Sequence, residues 1–154
     1  MQNPSAPTRP EGVSFDTSAY PFVRIRFGRF GDVEFEGFLA EMEELIKRPA
    51  PRVLLVDTTH ASLPTQAQRR RMTQWFAHHR ERLKHDVAGI AFVVPSAVMR
   101  GVLTAIFWMQ PLPAPYLFVP SVPEGVDACR HWLSKVGPGF GNTSDPSELP
   151  PASE

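Results

Sequence analysis

The sequence predicts a single α/β domain: a five-stranded mixed sheet with an N-terminal hairpin and four helices, in the order ββαβαβαβα. Two observations carry this prediction. Val53-Leu54-Leu55-Val56 and residues 88–94 are unbroken apolar runs, as interior strands covered on both faces require. Between and beyond them lie segments with apolar residues at helical spacing, two of them opened by recognisable caps. Thr65 with Gln68 three residues on has the form of a capping box, and Ser96 stands before the next helical segment. Strands and helices that alternate in this way are joined by right-handed crossovers, which place helices over the sheet.

Residues 1–12 and 137–154 are rich in Pro, Ser and small polar residues, so both are expected to be disordered tails around a domain spanning 13–136. Residues 13–16 alternate apolar and polar, and Pro21 follows closely, which predicts a short strand near a sheet edge. Residues 22–30 read as its hairpin partner, with Val23, Ile25 and Phe27 on one face and Arg24 and Arg26 on the other. Asp32 is the expected cap of a helix that buries Phe35, Phe38, Leu39, Met42, Leu45 and Ile46 and turns Glu41, Glu43 and Glu44 to water. Pro49 and Pro51 end it. After the strand at 53–56, one helix from Thr65 should lay Met72, Trp75, Phe76, His79 and Leu83 on the sheet, with Arg69, Arg70, Gln74, Arg80 and Lys84 outward. Residues 97–110 form the next helix, closed by Pro111, Pro113 and Pro115. Residues 116–119 make the last strand, and Pro123 opens a final helix through Val126, Cys129 and Leu133.

At 154 residues the chain holds one domain with a proper core. Its 16 basic residues balance 16 acidic ones, so no overall field draws it to nucleic acid or to an anionic membrane. The basic segment around Arg69-Arg70-Arg71 buries its aromatic residues and offers no ring on which a base would stack, which also argues against nucleic acid. With Cys129 as its one cysteine the chain has no internal disulfide. There is no signal-peptide pattern, and no apolar stretch approaches the roughly 20 residues of a membrane span, so a cytoplasmic protein is expected.

Two places are candidate sites. Asp57, Thr58, Thr59 and His60 follow an interior strand at its carboxyl end, where open α/β sheets bind ligands. One carboxylate and one imidazole without a nucleophile define no mechanism, so the chain is read as non-enzymatic, with no cofactor. His78 and His79 are adjacent and point about 100° apart on a helix, so no metal site is expected. The second place is the helix at 97–110. Its apolar residues cover more than the stripe of about 100° that packing on one sheet requires, which leaves apolar surface for a partner. Arg100, Leu103, Phe107, Trp108 and Met109 are the residues expected to make that contact.

The hairpin followed by Gly31-Asp32 and the Phe35/Phe38 helix resembles the STAS-like (SpoIIAA-like) proteins, which share a superfamily with anti-sigma factor antagonists and CRAL-TRIO lipid-exchange domains. The strand ending in Asp57, the Arg-rich helix with Trp75, the segment Ile106-Phe107-Trp108 and the closing His131-Trp132-Leu133 extend the resemblance over residues 13–136. It implies a regulatory or scaffolding module that acts by protein–protein contact or self-association. A carrier or sensor of a small amphipathic molecule such as a lipid is the alternative it implies. The family's phosphorylatable Ser lies in an Asp-Ser-Ser-Gly type motif after the central strand. Here residues 58–65 lack that motif, and Ser62 and Thr65 are the hydroxyls that a helix N-terminus would favour as phosphate acceptors.

Overall fold

The computed structural model describes residues 11–136, so residues 1–10 and 137–154 of the two expected tails lie outside the described residues. Glu11 and Gly12, expected in the first tail, are part of the fold. Glu11 bridges to Arg29, and the Gly12 amide donates to the Arg29 carbonyl at 2.7 Å. Gly12 does so at φ +80, a conformation side-chain-bearing residues rarely adopt.

Strands β1 (Val13–Ala19) and β2 (Phe22–Phe27) form an antiparallel hairpin. Helix α1 (Asp32–Leu45) leads to β3 (Arg52–Asp57), which pairs parallel with β2. Helices α2 (Gln66–His78) and α3 (Arg80–Asp86) lead to β4 (Val87–Val93), parallel to β3. Helix α4 (Ala97–Met109) leads to β5 (Tyr116–Val119), parallel to β4, and α5 (Val122–Ser134) closes the domain. The strand order across the sheet is the chain order, β1-β2-β3-β4-β5.

That order decides where the helices go. Each step from β2 to β5 moves one place in the same direction, and right-handed crossovers therefore put α1, α2 and α4 side by side on one face. The core on this face joins Val23, Ile25, Leu54, Val56, Ile90 and Phe92 of the sheet to Phe35, Leu39 and Met42 of α1, Trp75 of α2, Leu83 of α3 and Leu103, Ile106 and Phe107 of α4. The alternate strand residues Phe22, Val53, Leu55, Ala91 and Val93 form a second core with Val122, Val126, Cys129 and Leu133 of α5. β3 is buried along its whole length because it lies between the two cores. This is why its sequence shows no alternation.

Two boundaries differ from expectation. Gly31, not Asp32, is the N-cap of α1; Glu34 Oε1 accepts from its amide at 2.7 Å, and Asp32 instead accepts from Gln68 Nε2 at 2.9 Å. The helix expected to run unbroken from Thr65 past Leu83 is interrupted at His79, giving five helices among the described residues instead of four. A tertiary anchor holds the chain at the break. The His79 ring stacks on Trp75 with centroids 4.0 Å apart, and its Nε2 lies 2.7 Å from the Glu43 carboxylate of α1, which also accepts from Trp75 Nε1 at 3.1 Å. Held there, the chain turns, so that Leu83 enters the core and Asp86 meets the buried Arg52 at 4.0 Å.

Candidate functional site

Apart from His60, the candidate residues of the turn after β3 are engaged in holding the fold. Asp57 is buried; its Oδ1 accepts from the Thr59 amide at 3.0 Å and from Thr59 Oγ1 at 2.6 Å, and Arg24 Nη2 lies 3.7 Å from its other oxygen. The amide and hydroxyl of Thr58 both donate to the Val93 carbonyl, at 3.0 and 2.7 Å, tying the turn to β4. Ser62 Oγ accepts from the Phe30 amide at 3.1 Å, while its own amide donates to Gly28. Thr65 caps α2 as its spacing implies, accepting from Gln68 N at 3.1 Å and donating its amide to Gln68 Oε1 at 2.9 Å. His60 is exposed at the tip. The residues are thus neighbours in the chain with separate tasks: Asp57 and Thr59 bond each other, whereas Ser62 and Thr65 serve different backbone segments. No cluster of three or more His, Cys, Asp or Glu placed to hold a metal ion occurs among the described residues.

Helix α4 divides its apolar residues between two opposite faces. Met99, Leu103, Ile106 and Phe107 are buried, so Leu103 (8% exposed) and Phe107 (4%) belong to the core and not to an accessible contact surface as expected from the sequence. Phe107 packs among Phe92, Tyr116 and Phe118. On the outer face, Trp108 is 84% exposed, Met109 77% and Val98 63%, with Gly101 and Ala105 also exposed between them. Arg100 is exposed as expected, with one guanidinium nitrogen 3.3 Å from the Val94 carbonyl.

Beside this face runs a groove of about 270 Å³ between α2 and α4, walled by Gln66, Arg69, Arg70, Thr73 and Gln74 on one side and by Ala105, Ile106 and Met109 on the other. The three consecutive arginines of α2 differ in their surroundings. Arg71 turns to α1 and pairs with Glu36 at 3.1 Å, whereas Arg69 and Arg70 line the groove and enter no ion pair among the described residues.

Between the helix layer and the sheet lies a partly open apolar cavity of about 90 Å³ that spacing and periodicity did not reveal. Met42, Met72 and Met99, together with Phe76, Phe92 and Phe107, are among its lining residues, and the hydroxyls of Thr58 and Ser62 at its wall are already bonded to backbone. The sequence signal was faint: one methionine on the inner side of each of three successive helices, a side chain that adapts to irregular space.

Comparison with protein-family models, with curated proteins and with solved structures gives no match to this chain. No helix among the described residues is long and apolar enough to cross a membrane.

Proposed function

We propose that this protein is a non-enzymatic regulatory or scaffolding module that acts by protein–protein contact through the outer face of α4. The observation that carries the reading is the exposure of Trp108 beside Met109 and Val98 on a helix whose opposite face already fills the core. A large apolar patch left in water is costly unless something covers it, and aromatic anchors dominate the energetics of protein interfaces. The resemblance to STAS-like proteins points the same way. Trp108→Glu tests it. The substitution should leave the circular dichroism spectrum and unfolding midpoint unchanged while abolishing self-association or partner capture measured by size-exclusion chromatography with light scattering. Identical assembly of the folded variant and wild type would overturn the reading.

A carrier or sensor of a small amphipathic or apolar molecule is the second reading, and the apolar cavity favours it. Its lining presents carbon surface to a guest, and its volume suits a small one or the end of a longer chain. Native mass spectrometry of protein from its own cells supports this reading if a ligand mass is retained.

A further inference from the structure

We infer that the α2–α4 groove receives helix α1 of a second copy of this chain, and that the contact closes a two-fold dimer. The inference rests on the interaction-module reading above and specifies its partner.

The spacing of the groove walls suits a helix. On α4, Ala105 and Met109 of the wall are four residues apart; on α2, Gln66, Arg70 and Thr73 are separated by four and three. Such stripes are what a further helix packs against, side chains entering the gaps between successive turns. The shelf they form is low, since Ala105 and Thr73 are small, and a Cβ built on Gly101, one turn before Ala105 on α4, would meet nothing within 4 Å.

Charge then selects which helix. α2 contains Arg69, Arg70 and Arg71 and no carboxylate, and α4 contains Arg100 and no carboxylate. α1 contains six carboxylates and neither Lys nor Arg. Its outward stripe, Val33, Gly37, Ala40 and Glu44, steps by fours and a three as the groove wall does, and all four residues are exposed, Val33 to 83%; Glu44 also pairs with Lys47, just beyond the helix, at 3.0 Å. Glu41 flanks that stripe and enters no ion pair among the described residues. An acidic, small-residue ridge and a basic, apolar trough of matching period therefore coexist on one molecule, at opposite sides of the same helix layer.

Symmetry allows both contacts to form at once. Across the layer the order is α1, α2, α4, because it follows the order of the strands. A two-fold axis running along the helices turns the second layer face down and reverses that order. α1 of each copy then lies over the α2–α4 groove of the other, and α2 lies toward the partner's acidic α1. Isologous contacts of this kind close at two copies.

The test uses the full chain in analytical ultracentrifugation, with wild type, Glu41→Lys/Glu44→Lys, Arg69→Glu/Arg70→Glu, and an equimolar mixture of the two variants. Wild type should dimerise more tightly at low salt than at high salt, and each variant alone should dimerise at least about tenfold more weakly. The mixture should recover the dimer, because in the mixed pair both contacts are again between opposite charges. The substituted side chains are exposed or line an open groove, so circular dichroism should report an unchanged fold. Three results would overturn the proposal: a wild type that stays monomeric to roughly 1 mM, a dimer indifferent to both charge reversals, or a mixture that does not recover. Assemblies that keep growing with concentration would also overturn it, since they require an open contact. A monomeric wild type that still loses a captured protein partner on Trp108→Glu removes the second copy as occupant and leaves the interaction-module reading standing.

Discussion

The two faces of the sheet are packed in different ways. Under α5 the contact is interlocked: a Cβ at Gly89 would sit 2.1 Å from the Trp132 ring, and one at Gly125 would sit 2.4 Å from Leu55. Helix and sheet approach there as closely as the missing side chains allow. Under α1, α2 and α4 the same sheet meets methionines and phenylalanines that leave about 90 Å³ empty. One helix fastened tightly and three laid more loosely share a single sheet. The contrast implies that the α5 face supplies rigidity, while the helix layer, which carries both the exposed α4 surface and the cavity, is the side able to adjust.

The largest effect should come from the inner face of α4. Phe107→Ala removes a buried ring beside an existing cavity and should destabilise the fold by about 3–5 kcal/mol in denaturant unfolding. Trp108→Ala, one residue further on, should change the same measurement by no more than about 0.5 kcal/mol. Comparable losses at the two positions would mean that the outer face is not free. On the interlocked side, Gly89→Ala drives a methyl into the Trp132 ring, which must shift to admit it, and should cost about 1–3 kcal/mol. Ala114→Val adds carbon to a residue that lines the cavity and should shift stability by less than about 1 kcal/mol. If it costs as much as Gly89→Ala, the contrast between the faces fails.

A smaller effect should appear at alkaline pH. Burial pushes the Cys129 thiol up from 9.0 to about 12, and the Sγ lies 3.6 Å from the Leu54 carbonyl within the α5 core. The folded state therefore holds its proton where the unfolded chain has released it. By linkage the thiol leaves stability unchanged below pH 9 and lowers it as pH rises from there toward 12. Unfolding midpoints for wild type and Cys129→Ala should converge or cross over that interval, and an aromatic disulfide reagent at neutral pH should label the native thiol only as fast as the protein unfolds. Rapid labelling would show that the α5 face opens readily.

Much of this architecture could be read from local pattern because local pattern caused it. The unbroken run at Val53–Val56 exists because β3 lies between two cores, and Thr65 and Ser96 cap their helices by satisfying amides a few residues away. What could not be read depends on distant residues. His79 marks the break in its helix, and its ring is held there by Glu43, on another element. Leu103 and Phe107 share their apolarity with Trp108 and Met109, although their angular positions on the helix separate the two pairs into opposite faces. At the turn after β3, the carboxylate and hydroxyls that drew attention are occupied with one another and with backbone. The cavity is a residue of how three helices seat together, and no single side chain encodes it.

The free edges of the sheet bear on how this molecule avoids sticking to others indiscriminately. β5 is four residues long, with Pro115 and Pro120 immediately outside it, and β1 at the opposite edge carries an irregularity between Asp16 and Ala19. Neither rim gives an incoming strand a long straight run of backbone to bond with. Growth by strand addition, the usual route to amorphous or fibrillar aggregates, is blunted at both ends. Trp108 can therefore remain in water without the sheet edges adding an aggregation route of their own.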